Sequence, residues 1–234
     1  MRVLAVGAHP DDIELLCAGT LAKFKKQGAE IFMSYLCNGD KGHFKIPPAE
    51  LAKIRKKEAE NSAKILGAQI LGGFFPDVDV YQDNEVRKKK VVELIRIARP
   101  DLIITHFPED YICDHTITSR LVIEASFIAT LPNYKTEHKA HTLLCPVIFM
   151  DTLAGVNFIP TEYVDISDFI EIKEKMLLAH QSQYKWLKEH DGIDYVEFMR
   201  KVASFRGLQC GVKYAEGFRN YSVWGRIKPR RLLP

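Results

Sequence analysis

The sequence is poor in cysteine and lacks any paired cysteine motif. Its five cysteines are scattered through 234 residues without a Cys-x-x-Cys pair, which excludes a disulfide framework and a thiolate zinc site. No apolar run is long enough to cross a bilayer, and no cationic region near Met1 leads into a signal-type apolar stretch. We therefore expect a soluble protein of the reducing cytoplasm, with no membrane partner.

The sequence also lacks an excess of charge of one sign. Its 33 basic and 30 acidic side chains leave a formal net charge of +3, which argues against a nucleic-acid partner. No repeat, low-complexity tract or linker divides the chain, and 47% hydrophobic residues can form a sizeable core. We predict one domain over residues 1–234, with a βα core at 1–130 and a less regular part at 131–234 that completes it.

The first 130 residues alternate short apolar runs with longer segments of helical period. This alternation predicts an α/β fold, namely a Rossmann-like three-layer domain with a mostly parallel sheet flanked by helices. The predicted strands are residues 2–7, 31–37, 68–75, 101–105 and 146–150. Helical spacing marks residues 13–24, 49–66 and 91–98, and Ser167 is expected to cap a long helix through Trp186, with another helix after Asp191.

Polar residues follow each of the first four predicted strands. In open parallel sheets the ligand lies beyond the carboxyl ends of the strands. We therefore expect the chemistry in the loops at residues 9–12, 38–43, 76–79 and 106–115.

The densest of these loops is Gly7-Ala8-His9-Pro10-Asp11-Asp12-Ile13. His9 and Asp12 are three residues apart across a tight turn and can reach one ion, and hydrolytic zinc sites commonly take three protein ligands from His and carboxylate. Asp11 would then be free to accept a proton from the attacking water. On the residues alone, Asp11 or Asp12 could instead cap the first helix, with His9 as an ordinary polar loop residue.

The fourth loop contains Pro108-Glu109-Asp110-Tyr111-Ile112-Cys113-Asp114-His115. The strand order could bring His115 beside His9, which would make it the third ligand. Asp114 is a candidate for orienting an imidazole from outside the ligand set. Glu109 and Asp110 are interpreted as solvated loop acids.

Several motifs between residue 2 and about residue 220 together resemble the PIG-L/LmbE-like zinc-dependent N-deacetylases. They are Ala-His-Pro-Asp-Asp after the first strand, the Asp114-His115 pair, Arg55-x-x-Glu58-Ala59, Pro76-Asp77, His180-x-Ser182-Gln183 and Tyr214-Ala215-Glu216-Gly217-Phe218. The resemblance implies a hydrolase that uses one Zn²⁺ to remove an N-acetyl group from an N-acetylglucosamine-type or related amino sugar, through metal-activated water. It also implies a small N-acetylated amino sugar or glycoconjugate as partner, and it leaves a homo-oligomeric state open.

The resemblance also assigns roles to single residues of this chain. It implies His9, Asp12 and His115 as metal ligands and Asp11 as the general base. It further suggests that Arg55 and Asp77 contact sugar hydroxyls. From the residues alone, Arg55 could instead pair with Glu58 on a helix surface, and Asp77 could simply form a turn.

The chain departs from the family pattern at one position. The family usually has His-x-Asp-His in the second cluster, and Ile112 stands where the leading His would stabilise the oxyanion or protonate the departing amine. Losing one such donor costs about 10²–10³ in rate. Tyr111, His106 or His43 could replace it, zinc alone could suffice, or the protein could be a catalytically weak or inactive metal-containing sugar-binding or regulatory protein. A nucleotide-binding domain is disfavoured, because the segment after the first strand is not glycine-rich.

Overall fold

In the computed structural model, a seven-stranded sheet is flanked by helices on both faces. The structure describes residues 1–81 and 83–226. The strands are β1 (Arg2–Gly7), β2 (Glu30–Cys37), β3 (Gln69–Phe75), β4 (Leu102–Thr105), β5 (Val147–Met150), β6 (Glu162–Asp165) and β7 (Ala215–Asn220). Their order is β3-β2-β1-β4-β5-β7-β6, with neighbours among β1–β5 parallel and β7 antiparallel to both β5 and β6. The predicted fold class, a mostly parallel sheet flanked by helices, is confirmed.

The described helices are α1 (Asp12–Leu16), α2 (Ala18–Lys26), α3 (Pro48–Leu66), α4 (Glu85–Ala98), α5 (Cys113–Ile128), α6 (Ile170–Leu178), α7 (Gln181–His190) and α8 (Tyr195–Cys210). Alternate residues of β1 point to opposite layers. Val3 and Ala5 join the core formed with α1, α2, α3, α6 and α8, whereas Leu4 and Val6 join the core formed with α4 and α5. Because both faces of β1 are buried, the strand is an unbroken apolar run. Among the described residues, no helix combines the length and the apolar content that a bilayer span requires.

The four predicted βα units are present, and their strands lie within one residue of the predicted bounds. The first apolar helical stripe is divided into α1 and α2 at Cys17, which has φ −146° and ψ 6°. The helix marked by residues 91–98 begins earlier, at Glu85, where Asn84 caps it by accepting hydrogen bonds from Val86 N and Arg87 N. Strands β6 and β7 were not predicted.

The long helix predicted from Ser167 through Trp186 is wrong. Helix α6 begins only at Ile170, after a 3₁₀ turn at Ser167–Phe169, and the Ser167 hydroxyl donates to Asp165 Oδ1 and does not cap the helix. The chain then breaks at His180, which has φ −87° and ψ 60° and separates α6 from α7. His180 is fully buried, and its Nε2 lies 3.1 Å from Glu14 Oε1 in α1. A buried tertiary contact therefore sets a break that the local helical pattern does not reveal.

The order of the strands determines where the polar loops meet. From β1 the chain proceeds through β2 to β3 on one side, and it then crosses to β4 on the other side of β1. The parallel register pairs Val6 of β1 with Thr105 of β4, so the loops that follow these strands leave the sheet side by side. Such a reversal of strand order creates a crevice at the carboxyl edge of the sheet.

A buried ion pair fastens α6 and β7 to the first helices. The Lys173 ammonium contacts the Glu216 carboxylate and donates to Leu15 O at 2.8 Å. Glu216 also accepts hydrogen bonds from Gly19 N and Thr20 N at the start of α2. The ion pair thus links four elements around one desolvated carboxylate.

We expect Lys173→Met to lower the free energy of unfolding by about 3–5 kcal/mol, because it leaves Glu216 charged and buried without its cation. Urea denaturation measures this loss. Lys175→Met, at an exposed position of the same helix, is the control and should stay near the parent stability. A loss below about 1 kcal/mol in Lys173→Met would show that the ion pair does not stabilise the fold appreciably.

Candidate active site

The four polar loops surround one cleft at the carboxyl edge of the sheet. The cleft has a volume of about 480 Å³, within the usual range for small-molecule sites. Its lining includes His9, Asp11, Asp12, Arg55, Asp77, Ile112, Asp114 and His115, together with residues from α7 and α8. The three proposed metal ligands, the proposed base Asp11, and Arg55, Asp77 and Asp114 are therefore all present in its wall.

His9, Asp12 and His115 bring their side chains to a common point. Ligand atoms of the three residues all lie within 4.8 Å of one another, so the group could hold a metal ion. His115 Nε2 lies 3.3 Å from Asp12 Oδ1, and His9 Nδ1 lies 3.6 Å from Asp12 Oδ2. Ligands that are 2.0–2.1 Å from a tetrahedral zinc are about 3.3 Å apart. The spacing of these donor atoms therefore suits zinc.

Two further carboxylates contact the opposite nitrogens of these imidazoles. Asp114 Oδ2 lies 3.1 Å from His9 Nε2, and Asp110 Oδ2 lies 3.0 Å from His115 Nδ1. A carboxylate in this position fixes the tautomer and direction of a metal-binding histidine. The interpretation of Asp110 as a solvated acid is wrong, because Asp110 is buried and is bound to the imidazole of His115.

The charges of the site are arranged for a cation. Burial lowers the pKa of His9, but hydrogen bonds to Asp114 and Asp12 outweigh it and raise the pKa to about 10. Burial likewise opposes protonation of His115, yet the charge of Asp12 and the hydrogen bond to Asp110 raise its pKa to about 9. The pKa of Asp12 is held well below its usual value by His115 and His106, despite its burial. The carboxylates around His9 and His115 therefore favour positive charge on both imidazoles.

Asp11 occupies a strained backbone position beside this group. Its φ is 122°, in a region that residues other than glycine rarely adopt, and its side chain makes no capping hydrogen bond to α1. The carboxylate instead accepts a hydrogen bond from Arg55 Nη2 at 3.1 Å. Burial raises the pKa of Asp11, although Arg55 opposes this rise. Such strain at a polar residue in a cleft is characteristic of functional sites.

Arg55 and Asp77 line the cleft but also organise its walls. Arg55 is buried, so it is not the exposed helix residue of the alternative interpretation, and it also donates to Pro10 O and Gly39 O. Asp77 accepts hydrogen bonds from Gly39 N and Lys41 N at 2.8 and 2.9 Å. Gly39 has φ +75°, and a Cβ there would lie 2.6 Å from the Arg55 side chain, so only glycine fits. Contact of Arg55 and Asp77 with a sugar stays a prediction.

Ile112 faces the cleft at the residue before α5 and supplies no donor. The three candidate replacements do not line the cleft: His106 is fully buried, Tyr111 donates its hydroxyl to Leu153 O, and His43 lies outside the lining. The hydroxyl in the lining belongs to Tyr195, at the start of α8. Burial and the nearby Asp11 charge raise its pKa well above the usual value, so it stays protonated.

The described residues contain other groups that merit comparison. His106, Asp110 and His115 also lie close enough to share an ion, but His106 stacks on the His115 ring at 3.8 Å behind the cleft and is fully buried.

A larger groove of about 630 Å³ lies between α4 and β3. None of its lining residues belongs to the four polar loops, so the groove is separate from the candidate chemistry.

The fold and this cleft together define an α/β protein with a polar cleft at the switch point of its sheet. The family profile described as PIG-L: GlcNAc-PI de-N-acetylase matches residues 4–126, which is just over half of the chain. The chain therefore belongs to the PIG-L family. The matched residues include the loops that carry His9, Asp11, Asp12 and His115.

Two similar proteins are named as deacetylases. The diacetylchitobiose deacetylase of Thermococcus kodakarensis is 30% identical over 228 residues, covering 93% of this chain and 82% of that protein. The N,N'-diacetylchitobiose deacetylase of Pyrococcus horikoshii, whose structure contains an inhibitor, is 30% identical with a TM-score of 0.80, covering 93% and 82% of the two chains. These relatives are similar over nearly the whole of the present chain.

A further similar protein, of known structure, is named for a different reaction. The 4-carboxy-2-hydroxymuconate hydratase of Pseudomonas putida has a TM-score of 0.82 but only 22% identity, with 98% of this chain and 99% of that chain covered. At this identity the likeness concerns the fold alone. The fold is therefore compatible with more than one reaction, and the function must be argued from the site.

Proposed function

We propose that the protein is a zinc-dependent N-deacetylase that hydrolyses the acetamido group of an N-acetylglucosamine-type or related amino sugar. The observation that carries the proposal is the convergence of His9, Asp12 and His115 beside the carboxylate of Asp11, a residue whose backbone is strained. Family membership and the two deacetylase relatives support the reaction class. The cytoplasmic location and the single-domain organisation stay predictions.

The donor set fits zinc in both chemistry and spacing, with two imidazoles and one carboxylate. When bound, Zn²⁺ supplies a polarised water and a positive charge near the carbonyl oxygen. The residues of the chain hold that arrangement in place. Asp114 fixes the direction of the His9 ring, and Asp110 fixes that of His115.

Asp11 is the proposed general base. Its buried carboxylate lies in the cleft wall, and its raised pKa makes it a better proton acceptor than an ordinary aspartate. Asp11 removes a proton from the attacking water and later transfers that proton to the nitrogen of the departing amine. Arg55 keeps the carboxylate in position through its 3.1 Å contact. The products are acetate and an amino sugar.

Tyr195 is the proposed donor to the carbonyl oxygen as negative charge develops there. Tyr195 lines the cleft with its hydroxyl hydrogen-bonded to Asp11, and in this proposal the hydroxyl takes over the role that the family histidine would have at Ile112. This assignment favours an active enzyme over a sugar-binding or regulatory protein with an inert metal site. The activity of a Tyr195 variant therefore distinguishes an active enzyme from a sugar-binding or regulatory protein.

We expect Tyr195→Phe to lower kcat by about 10²–10³-fold, the usual effect of removing one oxyanion donor. Tyr111→Phe is the matched control, because its exposed hydroxyl donates to Leu153 O outside the cleft lining. Adding Ile112→His to Tyr195→Phe should restore part of the loss. Full activity in Tyr195→Phe would exclude this role for Tyr195.

We expect zinc binding at pH 7 to release about two protons per ion, because the surrounding carboxylates raise the pKa of His9 to about 10 and that of His115 to about 9, and a histidine binds metal only in its neutral form. The apparent affinity should then rise about 100-fold per pH unit near neutrality. Calorimetry in buffers of different ionisation enthalpy measures the released protons. Binding without proton release would show that both imidazoles are already neutral.

The proposed function is tested by acetate release from a panel of N-acetylated amino sugars, with zinc-loaded protein. We expect acetate from at least one member and none after chelation of the metal. Sugar binding without acetate from any member would instead favour the binding protein.

A further inference from the structure

Four aromatic side chains form a continuous group outside the cleft lining, which we call the aromatic ledge; Phe44 and His190 are exposed, and His43 and Trp186 are half-buried. His43 and Phe44 lie in the loop between β2 and α3, and Trp186 and His190 lie on α7. The side chain of Phe44 is 74% exposed although it contacts two other rings. Exposed apolar surface of this kind commonly marks a binding site.

The rings of the ledge have a defined arrangement. Trp186 and His190, one helical turn apart, are nearly parallel, with centroids 5.4 Å apart and an interplanar angle of 13°. Phe44 stands at 90° to Trp186 and at 79° to His190, with centroids 5.5 and 4.6 Å away. His43 lies 5.9 Å from Trp186. The edge contacts between loop and helix fix the positions of the rings.

The ledge is continuous with the wall of the cleft. Gly42, directly before His43, lines the cleft, and Gln183 and Leu187 line it from α7. Gln183 Nε2 donates to Gly42 O at 3.0 Å, which joins the two segments at the inner end of the ledge. The Gln183 and Leu187 stripe of α7 is next to the Trp186 and His190 stripe, because Trp186 and His190 lie three residues after Gln183 and Leu187 on the helix. A ligand that leaves the cleft on this side passes over the ledge.

Hydrogen-bonding groups border the rings. His43 Nδ1 accepts from Lys45 N and Ile46 N at 3.0 and 3.2 Å, so the proton of its neutral imidazole is on Nε2. His190 Nδ1 lies 2.8 Å from Asp191 Oδ1. A pyranose ring presents C–H groups on its faces and hydroxyls at its edge. Aromatic faces with polar groups at their border match that pattern.

We propose that the aromatic ledge is a second sugar subsite, which binds the pyranose linked to the acetamido sugar in the cleft. The proposal rests on the proposed deacetylase function. In this proposal, contacts with Trp186 and Phe44 make a di- or oligosaccharide a better substrate than a monosaccharide.

The test compares N,N'-diacetylchitobiose, N-acetylglucosamine and a phenyl N-acetylglucosaminide as substrates of the zinc-loaded protein. We expect Trp186→Ala and Phe44→Ala to lower the kcat/KM ratio of disaccharide to monosaccharide about 10-fold, mainly through KM. Trp186→Phe should retain most of the ratio. Trp224→Phe is the matched control, since Trp224 is 95% exposed and lies outside the cleft and ledge.

An unchanged ratio in Trp186→Ala and Phe44→Ala would overturn the proposal, and so would equal losses with both sugars. A loss confined to the phenyl glycoside would instead identify a subsite for apolar aglycones. A lower molecular mass in solution for Trp186→Ala would identify the ledge as an interface between copies of the chain. Each of these results excludes the sugar subsite.

A binding measurement separates this proposal from the proposed function. The chain has two tryptophans, so in Trp224→Phe the fluorescence reports Trp186 alone. We expect N,N'-diacetylchitobiose to change that emission at a concentration about 10-fold lower than N-acetylglucosamine requires. If no acetate is released but this difference holds, the deacetylase function fails and the ledge remains; if the two sugars act alike, the ledge fails.

Discussion

Replacing Asp11 with asparagine is expected to lower acetate release by about 10²–10⁴-fold, the usual contribution of a positioned general base. The variant should still bind about one zinc per chain, because His9, Asp12 and His115 are unchanged. Asparagine keeps an oxygen for the Arg55 hydrogen bond, so this change is milder than truncation to alanine. Kinetics with acetate detection and metal analysis of the same sample measure both quantities.

Asp168→Asn is the control for Asp11→Asn, because Asp168 is exposed before α6 and lies outside the cleft lining. It should match the parent in turnover and in zinc content. Normal turnover in Asp11→Asn would show that another group accepts the proton. Loss of zinc together with activity would show that Asp11 holds the metal.

Replacing Asp12 with alanine is expected to weaken zinc binding by more than about 100-fold, beyond the effect of losing an outer partner. Asp12 lies within 3.6 Å of both His9 and His115, and its Oδ2 also accepts the His9 backbone N–H. Its removal therefore eliminates a ligand and loosens the loop that positions another. Metal analysis after dialysis against a weak chelator measures the loss.

Glu109→Gln is the matched control for Asp12→Ala, because Glu109 is an exposed acid in the loop that leads to His115. It should keep about one zinc per chain. Circular dichroism distinguishes loss of metal from loss of fold. Full zinc occupancy in a folded Asp12→Ala protein would remove Asp12 from the ligand set.

The sequence predicts the parallel part of the fold well, because its signals are local. β1 and β4 are apolar runs buried on both faces, and Gly67 and Pro100 mark the ends of α3 and α4. Strand β6 has four residues, none of them fully buried, and β7 (Ala-Glu-Gly-Phe-Arg-Asn) is not an apolar run. Their pairing with the sheet is a tertiary effect, which a periodicity of a few residues does not indicate.

The sequence also predicts which residues meet in the cleft, because neighbouring parallel strands bring their following loops together. The rings of His9 and His115 have centroids 5.6 Å apart. His9 is also hydrogen-bonded to Asp114, which lies 105 residues later in the chain. The contributions of Asp110 and Tyr195 depend on the burial and direction of single side chains. No spacing in the sequence reports these quantities.

We propose that His9, Asp12 and His115 together hold one ion. Crystals grown with about one equivalent of zinc and measured at the zinc absorption edge would locate that ion. We predict one anomalous peak within about 2.0–2.2 Å of His9 Nδ1, an Asp12 carboxylate oxygen and His115 Nε2. A peak held by His106, Asp110 and His115, or no peak in the cleft, would contradict the account.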